Sequence, residues 1–185
     1  PSGAQMRSRV YWSLLLFQFG LCLWLGSLLF FGATTGVLFA LLSRDSAGRV
    51  VAELLGRLHL FELAGAALIV LSLWLLWGIY RSWQLKLSVA VLVVMLTLFA
   101  LYAALLEPMM NSLSRQVSSF EQPQPHELDA IAQFRGYHRL HTLLTAFNGI
   151  LLLGLLLWQS MLYVRVLGNP ELSAVSSSGA AERTE

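Results

Sequence analysis

The sequence predicts an all-α fold, a polytopic membrane protein built as an antiparallel bundle of four transmembrane helices, on three observations. Its 185 residues are 57% apolar and only 12% charged, where soluble domains carry about 25% charge. The charges are also clustered, so that Arg9 to Arg44 brackets 34 uncharged residues, Glu62 to Arg81 brackets 18, Lys86 to Glu107 brackets 20 and Arg139 to Arg165 brackets 25. A helix needs about 20 apolar residues to cross a hydrocarbon core, and each block supplies roughly that. Finally, the net charge is +2 with a single cysteine, Cys22, and no run of Lys or Arg reaches the five to eight or so of a basic patch. A water-soluble enzyme, a nucleic-acid partner and a disulfide scaffold are thereby excluded.

Residues 1–10 form a polar N-terminal segment, and residues 11–165 form the membrane domain. Span 1, about 11–42, exceeds the apolar core of a cleavable signal peptide and reads as an uncut anchor, with a break expected at Thr34-Thr35-Gly36. Cys22 inside it reads as core packing. A loop over residues 44–57 leads to span 2, about 57–80. The short Arg81–Lys86 link then makes spans 2 and 3 a hairpin. Span 3, about 87–106, ends at Glu107-Pro108, because proline deletes a backbone donor and restricts the residue before it. The extramembrane segment 108–140 is split by Pro123 and Pro125. Beyond them Leu128, Ile131, Phe134 and Tyr137 recur at helical spacing, so an amphipathic helix lying on the headgroups or against span 1 leads into span 4, about 141–164. Residues 166–185, rich in Ser, Ala and Gly without periodicity, read as a disordered tail. Trp12, Trp77, Trp83 and Trp158 fall near span ends, as interfacial anchors do.

Counting Lys and Arg by side leaves six on each face. Arg7 and Arg9 before the first span break the tie and favour both termini in the cytoplasm.

Antiparallel connectivity brings the end of span 1, the start of span 2, the end of span 3 and the start of span 4 to one membrane face. That face collects His59, Glu62, Glu107, His138 and His141. His59 with Glu62, and His138 with His141, are three apart and share a helical face. Thr145 and Asn148 carry the second stripe about two turns into the bilayer, where polar groups should face protein rather than lipid. Imidazole and carboxylate at this spacing suit a divalent transition metal. A proton or quinone role is a further reading. The alternative is packing, with Glu62 and Glu107 paired to Arg57, Arg135 or Arg139 and the histidines and Asn148 hydrogen-bonding between helices. Gly32 and Gly36 form a Gly-x-x-x-Gly pair that admits a close helix neighbour, either span 2 or span 4 or a second copy.

Gly26 with Phe30-Phe31 in a long first span, Leu60-Phe61 opening span 2, Pro108 closing span 3, and Phe134, His138, His141 and Asn148 opening span 4 make the chain resemble a family of uncharacterised four-span membrane proteins. That family includes transmembrane protein 205 and bacterial domain-of-unknown-function relatives. The resemblance implies the four-span architecture and a bacterial inner membrane, and it carries over no catalytic residue. Its histidine near the start of the last span corresponds to His138 or His141.

No Ser/His/Asp, Cys/His or phosphate-cradling pattern is present. The leading expectation is therefore a structural or accessory subunit, in a homo-oligomer or larger membrane complex surrounded by the lipid bilayer. A small transporter or metal-handling protein using the His/Glu cluster comes next, and a membrane redox or hydrolytic enzyme last.

Overall fold

A computed structural model describes residues 3–78 and 83–167. They form five helices, α1 (Gly3–Leu41), α2 (Arg44–Trp77), α3 (Trp83–Ala100), α4 (Glu107–Ser114) and α5 (Leu128–Leu167). A π-helical turn (Leu101–Leu106) joins α3 to α4, and a 3-10 turn (Pro125–Glu127) precedes α5. Since α3, the π turn and α4 run on without a gap, the described residues form four rods long and apolar enough to cross a membrane. Of the expected features, Arg81 and Ser82 of the second link and residues 168–185 of the tail lie outside the described residues.

Three boundaries differ from the sequence reading. The polar residues from Gly3 onward are already helical, and Thr34-Thr35-Gly36 does not interrupt α1. The expected loop at 44–57 is helix, with only Leu42 and Ser43 connecting α1 to α2. Ser43 caps α2 by accepting from the Ser46 amide, and Asp45 places a carboxylate in the positive first turn. The third difference is at Pro108, where the rod continues to Ser114 instead of ending. Proline lacks an N–H and its ring crowds the carbonyl four residues back; the widened turn just upstream absorbs both defects, with the Glu107 amide bonding the Tyr102 carbonyl.

The two-residue connection fixes the α1–α2 register. Ser13 lies opposite Ser72, Gly20 opposite Gly65 and Trp24 opposite Glu62, each pair equidistant from the turn to within one residue. In a bilayer, apolar packing alone distinguishes poorly between neighbours, because lipid is as apolar as leucine. Close backbone approach and polar contacts set the pairing here. A Cβ on Gly20 would sit 2.8 Å from the Gly65 carbonyl oxygen, and a Cβ on Gly65 would sit 2.8 Å from that of Gly20. The Ser72 hydroxyl donates to the Ser13 carbonyl at 2.5 Å. Around this seam Phe17, Leu21, Ile69, Leu73, Leu92, Met95, Leu152 and Leu155 form the core.

The expected close contact at Gly32 and Gly36 is not made within the chain, since a Cβ at either position would meet nothing within 4 Å. Close approach occurs three turns nearer the N-terminus, where α1 meets the small-residue run Ala64-Gly65-Ala66-Ala67. Cys22 is exposed on the outer side of α1 rather than packed in the core.

At 1.5 Å per residue the 34 residues of α2 extend about 51 Å, some 20 Å more than a hydrocarbon core of about 30 Å. Arg44, Asp45, Arg49, Glu53 and Arg57 place the excess at the α2 N-terminus, and the hairpin register carries α1 residues 28–41 with it. Segment 115–127 closes over this projecting end. The Asp45 carboxylate accepts from the Ser119 hydroxyl at 2.6 Å and the Phe120 amide at 2.8 Å, and Glu121 accepts from the Arg44 amide. Glu127 accepts from the Ser118 and Gln124 amides. Those bonds to the ionised form hold the Asp45 and Glu127 carboxyls below their usual values. The expected amphipathic helix at 128–140 is the first part of α5, a single 40-residue helix, and it packs against α4.

Candidate functional site

One polar cluster joins all four rods at mid-length of α1. Helix α2 supplies His59 and Glu62, one turn apart on the same face, with Glu62 fully buried. The hairpin register sets Trp24 of α1 opposite Glu62, and its indole N–H donates to Glu62 Oε1 at 3.0 Å. The π turn after α3 supplies Tyr102, and Glu107 opens α4 directly behind it. Five residues along a regular α-helix differ by about 140° in direction, which would turn one of these away. The i to i−5 closure between the Glu107 amide and the Tyr102 carbonyl stacks the two on one side, and a π turn at such a position commonly accompanies a functional site.

With that placement the Tyr102 hydroxyl donates to Glu62 Oε1 at 2.6 Å, and Asn148 Nδ2 of α5 donates to the Tyr102 hydroxyl at 3.3 Å. His59 bridges two carboxylates, with Nδ1 2.6 Å from Glu62 Oε2 and Nε2 2.7 Å from Glu107 Oε2. Its ring packs edge-on against Phe99 at 5.5 Å and lies 6.1 Å from the Tyr102 ring. His141 of α5 packs edge-on against Tyr102 at 5.4 Å.

Each His59 contact requires one proton, so two protons are shared among an imidazole and two carboxylates. A doubly protonated ring carries one positive charge against two negative ones, and moving either proton onto a carboxylate leaves the total unchanged. With these two protons and no third, the clasp carries one excess negative charge. Among the described residues, the His59 nitrogens are the only basic groups within ion-pair distance of Glu62 or Glu107. Arg57, Arg135 and Arg139, the sequence-based candidates for pairing them, are exposed instead.

The amide of Asn148 is oriented by proton count. Tyr102 has one proton, committed to Glu62, so Asn148 must present its NH2 to the phenol oxygen. Its Oδ1 then points elsewhere and has no partner, although Asn148 is fully buried. Thr145 Oγ1 and His141 Nε2, three and seven residues back on the same face of α5, are likewise buried without a partner.

Of the six cluster candidates, His59, Glu62, Glu107 and Asn148 share one hydrogen-bonded network, and His141 contacts it through Tyr102. His138 does not join them. It is exposed and stacks on Phe134, with centroids 6.0 Å apart and planes 6° off parallel. Both His59 nitrogens are engaged, and among the described residues no group of three His, Cys, Asp or Glu side chains could hold a metal ion. Trp24 and Tyr102 escaped the sequence reading because aromatics inside long apolar blocks look like packing. The exception was legible for Tyr102, whose hydroxyl lies five residues before Glu107 and needs a partner when buried.

A family model described as domain of unknown function (DUF4149) matches residues 19–119, more than half of the chain. It takes in α1 from Phe19 onward, all of α2 and α3, and the π turn with Glu107. No curated protein and no solved structure matches.

Proposed function

The chain belongs to this DUF4149 family, whose activity is unknown, and we propose that within it the protein is a structural or accessory membrane subunit that assembles through the distal half of α1. The observation that carries this reading is the apolar face of α1 residues 28–41. Leu29, Phe30, Val37 and Leu41 there are 66%, 74%, 56% and 77% exposed, at the level of the charged first half of α2 and so outside the hydrocarbon that would otherwise cover them. Gly32 and Gly36 lie on this face with open space beside them, which suits a second copy of the chain approaching closely. The hydrogen-bonded clasp supports the same reading. It saturates Glu62 and His59 with internal partners, as a lock between helices would, and leaves neither nitrogen of His59 for metal handling.

The proposal places both termini in the cytoplasm of a bacterial inner membrane, supported by Arg7 and Arg9 ahead of α1. It also keeps the kinship with transmembrane protein 205. The residues of that resemblance from Gly26 to Pro108 lie inside the family match, and those from Phe134 to Asn148 lie beyond it.

Mass in detergent tests the reading. The purified chain should run as a dimer and Gly36→Leu as a monomer, with thermal unfolding of the monomer little changed. In a Cys22→Ala background, Gly36→Cys should crosslink in native membranes. A wild-type monomer that also fails to crosslink in membranes contradicts it.

A further inference from the structure

The clasp holds an unbalanced charge, and the neighbouring face of α5 holds unused acceptors. A buried charge without compensation is costly enough that proteins pair it, neutralise it or bind a counter-ion. No arginine or lysine pairs it among the described residues. One step away through the Tyr102 hydroxyl stands Asn148 Oδ1, which has no hydrogen to donate and no donor to accept from. Thr145 Oγ1, one turn along α5, is a second buried oxygen without a partner. Amide and hydroxyl oxygens are hard ligands, suited to alkali cations rather than to the softer transition metals that imidazole prefers. A single excess negative charge matches a monovalent ion rather than a divalent one.

We propose that Asn148 and Thr145 of α5, backed by the Tyr102–Glu62–His59–Glu107 network, form a binding site for one small monovalent cation of the alkali class. Asn148 Oδ1 and Thr145 Oγ1 supply ligand oxygens, and the clasp supplies the charge. Buried asparagine at this depth is otherwise hard to account for, because only one of its two polar ends is used. His141, buried one turn beyond Thr145 on α5, borders the site. The site is independent of assembly through α1, since neither Gly32 nor Gly36 contributes to it.

The test is thermal unfolding of the full chain in detergent at constant ionic strength, with sodium, lithium or potassium chloride replacing choline chloride, repeated from pH 5 to pH 9. A cation that binds the folded state alone raises the midpoint. One alkali ion at saturation should raise it by about 3–8 °C relative to choline. Asn148→Leu and the milder Thr145→Val should lose this increment. So should Glu107→Gln, which keeps an acceptor for His59 while removing the excess charge. Midpoints that are the same in choline and all three alkali salts overturn the proposal. It is equally overturned by an increment that survives both Asn148→Leu and Thr145→Val, which would put the ion elsewhere. A midpoint that responds to pH but to no cation also overturns it, by showing that a third proton neutralises the clasp.

Discussion

Tyr102 is the residue on which the cluster turns. Its hydroxyl accepts from Asn148 and donates to Glu62, so Tyr102→Phe leaves the buried Asn148 Nδ2 without a partner and Glu62 Oε1 with only the Trp24 indole, while keeping the ring against His59 and His141. An unmet buried hydrogen-bonding group costs about 1–3 kcal/mol, and Tyr102→Phe should lose about that much stability in denaturant titrations. His138, exposed and outside the network, should tolerate Ala within about 0.5 kcal/mol. Equal losses at the two positions would show that the hydroxyl carries no network. Asp45 provides a pH-dependent counterpart outside the bilayer. Its carboxyl titrates lower in the folded chain than the unfolded value of 3.8, so its contribution is complete above pH 3.8 and disappears as pH falls through the folded value. Hydrogen exchange in residues 117–122 should therefore stay constant from neutral pH down to about 4 after correction for intrinsic rates, then rise, and Asp45→Asn should remove that step.

Among the helices, the α1–α2 hairpin shows what spacing conveyed and what it did not. Gly32 and Gly36 stand four apart in one helix, a pattern visible locally, whereas the contact that forms pairs Gly20 with Gly65, 45 positions away. That pair becomes readable only once the connection is known to be two residues. The clue to the short connection was present. Asp45, Arg49, Glu53 and Arg57 recur every four residues with alternating sign, the period of a helix face rather than of a loop. Adding a methyl at Gly20 or Gly65 forces one backbone off the other, and Gly65→Ala should cost about 1–3 kcal/mol. Gly32→Ala, in open space, should be neutral or slightly stabilising through helix propensity. A thermal shift series on these single variants distinguishes the two sites, and a larger loss at Gly32 would contradict the observed register. The π turn had no such signature. Pro108 announced a defect, but nothing local said that the defect would be absorbed upstream and used to align Tyr102 with Glu107.

For the whole molecule, charge-free blocks were enough to give four apolar helices, and antiparallel connectivity was enough to gather His59, Glu62, Glu107, His141 and Asn148 at one level. The clasp itself was not legible, because arginine was the expected partner for each carboxylate and histidine takes its place. Topology has its own check. Cysteines placed at Ser46 and Ser119 in a Cys22→Ala background should label from one side of the membrane, as the Ser119–Asp45 contact requires; opposite sidedness would break the projecting end apart. The clasp joins α2 to the start of α4 across 48 positions, and a double-mutant cycle on His59→Ala and Glu107→Ala, read by unfolding in detergent, probes that joint most directly. Contacting charged partners couple by about 0.5–3 kcal/mol, and a coupling above about 1 kcal/mol is predicted. Additive losses, with no coupling between His59 and Glu107, would contradict it.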